Sequence, residues 1–383
     1  MKKNIIVIYG GKSVEHDISI ITGLQVVHNA SNEYNIIPIY IDRQGKWYTG
    51  KKFIDINIYA DFKSNNKVQK TEVVILPSSN FLYKKSGKAF KQYIKIDCVI
   101  LAMHGLNGED GTLQGLLELS GIPYTSSGTL GASCAMDKIV MKMLFSACGL
   151  NILPYTWILR EEFNVNSEKV LLDIENKLNY PIIVKPSNLG SSIGITISNN
   201  RTELKHSIDI ACYYDSRIIL EKALTNFKEI NCSALGTSDN VMVSECEEPV
   251  NWHKFLSFED KYIKGNGKNK GMHNLARILP ANITQEIKIL IQNYTCTVFK
   301  TFECKGVVRV DYLIDNTTNA VYINEINTIP GSFAFYLWEE SKIKFSKLIT
   351  TLIEIADNAY KQKNKNEYAY NSEVLKKFAV KSK

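Results

Sequence analysis

The sequence lacks the short signatures by which several common protein classes are detected. Its eight cysteines include no CxxC pair and have no histidine at metal-ligand spacing, which excludes zinc ribbons and dithiol redox motifs. No GxGxxG follows the first predicted strand, so a dinucleotide-dependent oxidoreductase is disfavoured. The GxSxG pattern at 190–194 lies in a turn between two predicted strands rather than before a helix, so an α/β-hydrolase is disfavoured as well. Gly10-Gly11-Lys12-Ser13 is not a P-loop, because the position that requires glycine holds Ile6.

The amino-terminal segment also lacks a long apolar run. The run from Ile5 to Tyr9 is too short for the core of a signal peptide and far too short to cross a bilayer. Together with unpaired cysteines, this predicts a cytoplasmic protein with reduced thiols and no membrane partner.

The 383 residues, 45% hydrophobic and 22% charged, indicate a folded protein of two or three domains. The net charge of +7 raises the question of an anionic partner. Most of that charge lies at the carboxyl terminus, where the last 23 residues hold seven lysines and two glutamates. We therefore predict a solvated basic tail over residues 361–383 and no nucleic-acid partner, although a binding arm would have the same composition.

The first third of the chain predicts an α/β domain. Residues 4–9 form a continuous β-branched run ended by glycines, which is typical of a parallel strand buried on both faces. A helix over 13–30 and a strand over 36–41 complete a βαβ unit. A further buried strand is predicted over 96–103, after a polar stretch, and the domain is expected to end at residue 126.

The remainder alternates strands and helices. A strand over 181–186, a Gly/Ser turn and a strand over 195–197 predict a hairpin. A polar segment over 253–275 has the composition of a mobile lid. Its lysines are either solvated loop charge or cations that close over a polyphosphate.

Two neighbouring strands carry the densest set of functional residue types. Arg309 and Asp311 are two residues apart, as are Glu325 and Asn327, so each pair shares a strand face and both can point into one volume. Carboxylate and amide oxygens suit Mg²⁺, and the arginine suits phosphate oxygens or a developing oxyanion. The alternative is a salt bridge between surface strands.

Three loops after strands hold further candidates. Lys185 ends an apolar strand, and Ser191 and Ser192 follow in a turn that can present hydroxyl and N–H groups to a phosphate. Lys185 could instead extend to the surface. Glu15 and His104 stand where open α/β sheets bind ligands, although either could be structural.

Several segments, in order, resemble the motifs of one family, the D-alanine:D-alanine ligases of the ATP-grasp superfamily. The resemblance covers residues 4–355. The segments are Gly10-Gly-Lys-Ser-Val-Glu-His-Asp-Ile-Ser19, His104-Gly-Leu-Asn-Gly-Glu-Asp-Gly111, Ala135-Met-Asp-Lys138, Val184-Lys-Pro186 with Gly190-Ser-Ser192, Asp260-Lys-Tyr262, Arg309-Val-Asp311 and Asn324-Glu-Ile-Asn-Thr-Ile-Pro-Gly331.

The resemblance implies a mixed α/β (α+β) architecture, with a Rossmann-like amino-terminal domain over 1–126 before an ATP-grasp fold. The ATP-grasp subdomains would span 127–221 and 222–360. It also implies a reaction for peptidoglycan synthesis: ATP phosphorylates the carboxylate of one D-alanine, and the amine of a second attacks the acyl phosphate. Required cofactors are ATP and two Mg²⁺ ions, with Mn²⁺ as a substitute, and the expected assembly is a homodimer.

The resemblance assigns roles to individual residues. It assigns Asp311, Glu325 and Asn327 to the metal ions. It assigns Arg309 and the N–H of Gly331 to the acyl phosphate. Nucleotide contacts fall on Lys138, Lys185, Ser192, Glu221, Leu224, Glu229 and Lys261. For the first D-alanine they are Glu15, His104, Ser191 and Tyr262.

The chain departs from the family pattern after Pro330-Gly331. The segment Ser332-Phe-Ala-Phe-Tyr-Leu-Trp338 places Tyr336 where many members have the serine that receives the acceptor carboxylate. Ser332 and Tyr336 are therefore candidate acceptor-site residues, unless the aromatic segment only packs in the core. This leaves D-serine or another small amino acid as the alternative acceptor. A binding protein that has lost catalysis is the alternative from another class.

Overall fold

Strand β1 (Asn4–Gly10) lies inside the first sheet and is parallel to both of its neighbours. In the computed structural model, which describes residues 2–60, 70–250, 277–367, 373–375 and 378, residues 5–9 of β1 have no exposed surface. Helix α1 (His16–Asn29) connects β1 to β2, so the predicted βαβ unit is present. No helix within these described ranges is long and apolar enough to cross a membrane.

The first sheet has seven strands in the described part of the chain, in the order β6-β5-β4-β3-β2-β1-β7. Pairs from β2 to β6 are antiparallel. The polar stretch after residue 51 contributes β4 to β6, where no strand is predicted from the residue pattern. Strands β2 to β7 are Asn35–Ile41, Trp47–Thr49, Thr71–Ile75, Phe81–Ser86, Ala89–Lys95 and Cys98–Leu101.

Two antiparallel sheets follow, of four and five strands within the described residues. Their orders are β10-β9-β11-β8 and β14-β13-β12-β15-β16. The predicted hairpin is present as the pair β9–β10. Strands β8 to β16 are Tyr155–Leu159, Ile182–Pro186, Thr196–Ser198, Arg217–Lys222, Phe227–Thr237, Asn240–Pro249, Arg277–Ile278, Gly306–Asp315 and Val321–Asn327.

The helices cover the faces of these sheets. Short 3-10 turns occur at Lys51–Ile54 and Gly331–Ala334. Helices α2 to α11 are Asn57–Ala60, Thr112–Ser120, Thr129–Met136, Lys138–Ala147, Arg160–Val165, Ser167–Glu175, Arg201–Tyr214, Gln285–Thr301, Tyr336–Glu339 and Phe345–Lys363.

Two ends of predicted segments differ from the sequence-based expectation. Helix α1 begins at His16 rather than Ser13, because the Ser13 hydroxyl accepts the N–H of Glu15 in a turn that precedes the helix. The segment predicted as a basic tail begins inside α11, and Lys363 pairs with Glu118 of α3. The predicted lid over 253–275 lies outside the described residues.

The aromatic segment after β16 packs into the core of the first sheet. Phe333, Phe335, Tyr336 and Trp338 are all buried there, together with residues of α11. Packing of this segment joins the end of the third sheet to the amino-terminal core. The core-packing alternative is thus correct for most of its side chains.

Helix α1 approaches β1 closely at Gly23. A Cβ atom at this position would lie 2.4 Å from the Tyr9 ring. Gly115, within α3, has no neighbour within 4 Å of an added Cβ.

We predict opposite effects for alanine at these two glycines. Gly23→Ala should lower the free energy of unfolding by about 1–3 kcal/mol, because the helix must move off Tyr9. Gly115→Ala should raise it by about 0.4–1 kcal/mol, since alanine costs less helix entropy. Urea unfolding of both variants measures the difference, and equal effects would contradict the packing described.

Candidate active site

The loops after β1 and β7 and the loop between β9 and β10 meet around Glu15. Its carboxylate is buried and accepts a hydrogen bond from the hydroxyl of Ser191, which the resemblance assigns to the same substrate site. Gly105 and Gly190 frame it: an added Cβ would lie 2.6 Å and 2.8 Å, respectively, from a Glu15 carboxylate oxygen. The two glycines therefore allow a close approach that any side chain would block.

Glu109 is a second carboxyl group in this pocket. It accepts the N–H groups of Gly105 at 2.7 Å and of Ile329 at 3.2 Å, and so links the loop after β7 to the loop after β16. Burial, and then the nearby charge of Glu15, raise the pKa of Glu109 to about 8. The apo pocket therefore favours a proton on Glu109 at neutral pH.

His104 is buried beside the same loops. Burial lowers its pKa to about 4, against a hydrogen bond with the Ile329 backbone, so the ring is neutral at pH 7. The Thr22 hydroxyl lies 2.8 Å from His104 Nε2 and accepts the N–H of Ser332 at 3.2 Å. Thr22 of helix α1 thus connects His104, which is predicted to border the first substrate, with Ser332, which is a candidate residue of the acceptor-substrate site.

The backbone is strained in two loops that contain serine: the loop between β9 and β10, called the serine loop below, and the turn after β16. Ser191 (φ 56°) and Ser192 (φ 59°) are in the left-handed region, as are Ser332 (φ 53°), Phe333 (φ 55°) and Ala334 (φ 48°). Residues other than glycine seldom adopt this conformation, and such residues cluster at ligand sites. The strain therefore marks the two loops as candidate ligand-binding segments.

Strands β15 and β16 bring the four predicted polar residues together. Arg309 lies opposite Asn327, and Asp311 lies opposite Glu325. Both oxygens of Asp311 accept from the Arg309 guanidinium, at 2.6 and 2.7 Å, and one also accepts from Asn327 at 3.1 Å. The side chains of Arg309 and Asp311 are 16% and 6% exposed, so this is not the surface salt bridge of the alternative hypothesis.

The side chains of Asp311, Glu325 and Asn327 have the chemical groups that a magnesium site requires. They supply two carboxylates and an amide on adjacent strands, which are the hard oxygen ligands that Mg²⁺ prefers. Among the described residues there is no group of three or more His, Cys, Asp or Glu at metal-binding distance, so the amide and phosphate oxygens would have to complete the shell. Pairing with Asp311 outweighs burial and raises the pKa of Arg309.

The predicted phosphate-binding lysines are held at the ends of α5 and β9. Lys138 Nζ donates to the Leu189 carbonyl at 2.6 Å, in the serine loop. Lys185 Nζ lies 2.9 Å from Glu221 Oε1 on β11. Lys142 Nζ lies 2.9 Å from the other oxygen, Oε2.

The triad of Lys142, Glu221 and Lys185 is almost completely buried. Burial opposes the charge of Glu221, but Lys142 and then Lys185 outweigh it and lower its pKa to about 2. Burial lowers the pKa of Lys142, in opposition to the Glu221 charge. Glu221, one of the predicted nucleotide contacts, is therefore also the counterion of two lysines.

The other predicted nucleotide contacts lie close along the chain. Leu224 is half-buried between β11 and β12, and Glu229 is half-buried on β12 opposite Leu313. Lys261 and Tyr262 lie outside the described residues.

Tyr336 combines packing with a polar contact. The Arg277 guanidinium lies 3.6 Å from the centroid of its ring. The buried Glu247 lies 3.8 Å from the Arg277 guanidinium. Burial and then the charge of Glu247 raise the pKa of Tyr336, and the Arg309 guanidinium opposes this shift. Tyr336 therefore adjoins the predicted phosphate site, and Gly331 and Ser332 precede it in the strained turn.

Sequence reasoning missed several polar residues of this site. For Lys142 there was a signal, because it stands four residues after Lys138 on one face of α5. Glu109 lies within the family motif at 104–111, but the resemblance assigned it no function. Thr22, Glu247 and Arg277 gave no local signal, since their partners are distant in the chain.

Two family models match most of the chain. The model of the D-ala D-ala ligase amino terminus matches residues 4–127, and that of the D-ala D-ala ligase carboxyl terminus matches residues 144–354. The chain is 39% identical over 364 residues to a D-alanine–D-alanine ligase of Thermosipho melanesiensis, covering 94% of this chain and 95% of that protein. It is 38% identical over 381 residues to one of Caldicellulosiruptor bescii, covering 96% and 99%.

Solved structures agree with these sequence matches. The D-alanine-D-alanine ligase of Coxiella burnetii has a TM-score of 0.78 at 26% identity, covering 100% of this chain and 99% of that chain. The VanG D-Ala:D-Ser ligase of Enterococcus faecalis has a TM-score of 0.78 at 30% identity, covering 93% and 100%. The predicted ATP-grasp fold class and ligase class are confirmed, and the chain belongs to the D-alanine–D-alanine ligase family.

Proposed function

We propose that this protein joins two D-alanines at the expense of ATP, to supply the dipeptide for peptidoglycan. The γ-phosphoryl group passes to the carboxylate of the first D-alanine, which gives ADP and an acyl phosphate. The amine of the second D-alanine then attacks the acyl carbon, loses a proton and expels phosphate. The observation that carries this proposal is the contact between two polar clusters. Ile329, which follows β16 and its Glu325, donates its N–H to Glu109 in the Glu15 pocket, and β16 pairs with the strand that holds Arg309.

The residues around Asp311 have the charges that phosphoryl transfer requires. We assign Asp311, Glu325 and Asn327 to two Mg²⁺ ions, for which Mn²⁺ would substitute, and Lys138, Lys185, Ser192 and Lys261 to the ATP phosphates. Bound Mg²⁺ would neutralise the phosphate oxygens and hold them in line. Arg309 and the N–H of Gly331 would stabilise the negative oxygens of the acyl phosphate and of the tetrahedral intermediate. Glu221, Leu224 and Glu229 would contact the nucleoside.

The buried carboxylates suit an ammonium group in the first substrate site. Glu15 would accept the D-alanine ammonium, and Ser191 and Tyr262 would link this carboxylate to the lid. His104, which is neutral and fixed by Thr22, would border the carboxyl group of that substrate. Closing the lid would exclude the water that otherwise hydrolyses the acyl phosphate.

The acceptor is assigned as D-alanine. The names of the family models and curated relatives support D-alanine over D-serine, although one similar structure is a D-Ala:D-Ser ligase. Ser332 and Tyr336 would line the acceptor site, beside Arg309.

The organisation of the chain is part of the proposal. Residues 1–126 would form the amino-terminal domain, 127–221 and 222–360 the two ATP-grasp subdomains, and 253–275 the lid. The enzyme would act as a cytoplasmic homodimer on small-molecule substrates, without a nucleic-acid or membrane partner.

We expect the purified protein to release ADP and form D-alanyl-D-alanine when given D-alanine, ATP and Mg²⁺. Chelation of the metal should stop both, and added Mg²⁺ should restore them. Coupled ADP release and mass spectrometry of the product measure this outcome. ADP release with L-amino acids alone would contradict the assignment, and a mixed dipeptide formed preferentially with D-serine would overturn the acceptor.

Arg309→Ala should lower kcat by about 10²–10³-fold, because the developing oxyanion loses its cationic partner. Arg201→Ala is the matched control, since Arg201 forms a surface ion-pair network with Glu168 and Glu175. The two kcat values, with circular dichroism of both variants, make the comparison. Equal turnover by a folded Arg309→Ala variant would refute the role of Arg309.

The apo protein should become less stable as the pH rises from about 6.5 to about 8. Below this range the buried His104, whose pKa is lowered to about 4 from 6.5, has the opposite effect on stability. The pKa of Glu109 is about 8 in the fold against an ordinary value of 4.5, so the folded state binds more protons in this range. Glu109→Gln should flatten the dependence, whereas Glu340→Gln, at an exposed position, should leave it unchanged. Urea unfolding across this pH range provides the test, and a slope unaltered by Glu109→Gln would contradict the shift.

A further inference from the structure

Lys142 is a buried cation for which the proposed reaction has no use. Its side chain is 1% exposed, on the inner face of α5. Lys138, one turn earlier, reaches the serine loop through Leu189 instead. Lys142 is thus too deeply enclosed to bind nucleotide itself, and its direct partner is Glu221.

The charges of the triad are unequal. Glu221 supplies one negative charge, and Lys142 and Lys185 supply one positive charge each. The two lysines hold different oxygens of the same carboxylate, each at 2.9 Å. Within the triad one cation is therefore in excess. Lys185, with a side chain 10% exposed, is the more accessible of the two lysines.

A lysine paired with a buried carboxylate is not readily available to a phosphate. If Glu221 had Lys185 as its single partner, a nucleotide that attracted Lys185 would leave a buried carboxylate uncompensated, which is costly. With Lys142 fixed on Oε2, Glu221 stays neutralised when Lys185 turns to another anion. The excess charge is then available to the ligand.

We propose that Lys142 is a positioning residue for ATP. From its buried position it neutralises Glu221 and so leaves Lys185 available to the nucleotide phosphates. This inference rests on the proposed function, since it takes Lys185 as a phosphate ligand. It adds a role for a residue outside the contacts assigned above.

Lys142→Met should weaken ATP binding by about 10-fold or more, because Glu221 then retains Lys185. Lys142→Arg keeps the charge and should stay nearer to the original affinity. Lys169→Met is the matched control, as it removes an exposed lysine from α7. Calorimetric titration with a non-hydrolysable ATP analogue and Mg²⁺, beside the KM for ATP and kcat, measures the effect.

The double variant Lys142→Met/Glu221→Gln separates this role from a structural one. Removal of the Glu221 charge should free Lys185 again and restore most of the affinity that Lys142→Met loses, while the glutamine amide still offers an oxygen to the nucleoside. A merely structural triad predicts that the double variant binds no better than the single one. That result, or unchanged affinity in Lys142→Met, would overturn the proposal.

A variant without the buried lysine could fail to fold, so Glu221→Gln alone provides a second test with inorganic tripolyphosphate as the probe. This ligand has no adenine and reports on the phosphate contacts. Its affinity should be equal or higher in Glu221→Gln, because Lys185 has lost its restraint, and a clear fall would contradict the proposal. If the unaltered protein binds no ATP analogue, the proposed function fails, whereas binding that is insensitive to these variants refutes the role of Lys142 alone.

Discussion

Every charged side chain that this site removes from water requires an opposite charge or several hydrogen bonds, because an unpaired buried charge is prohibitively costly. Arg309 is held by both oxygens of Asp311, and Glu221 is held by Lys142 and Lys185. These pairings keep cations and carboxylates ready in the apo protein. A ligand with phosphate, carboxylate and ammonium groups can then exchange partners with them rather than create new charge in the interior.

The fold satisfies this requirement by bringing the ends of three sheets together. The loop after β1 contributes Glu15, the loop after β7 contributes His104 and Glu109, and the loop between β9 and β10 contributes Ser191. Buried carboxylates make the contacts between these loops, to a serine hydroxyl and to backbone N–H groups, and two glycines lie close against Glu15. Glycines at the loop contacts and left-handed serines are the local consequence of that approach. In the same crowded pocket, burial and then the charge of Glu15 raise the pKa of Glu109, which favours its protonated form.

Residue patterns that follow the geometry of a single strand predicted the structure correctly. The β-branched run of β1 indicated a strand buried on both faces, and the spacing of Arg309 and Asp311 indicated a shared face, since both depend on local geometry alone. The start of α1 and the strands β4 to β6 were not predicted. A serine that caps its own turn moved the helix start. Strand β4 is a short run within a polar stretch, and β5 and β6 mix lysine with aromatic residues, so these strands carry little periodic signal.

The sequence by itself determined the βαβ opening, the hairpin, the placement of polar residues on the paired strands β15 and β16 and, through the order of several motifs, the family. These follow from residue type and spacing within short segments. Only the tertiary structure decided that Lys142 shares Glu221 with Lys185, that Thr22 joins His104 to Ser332, and that Tyr336 packs under Arg277. Each of these contacts joins residues far apart in the chain. Their partners are selected by the packing of whole sheets and helices, which no local pattern records.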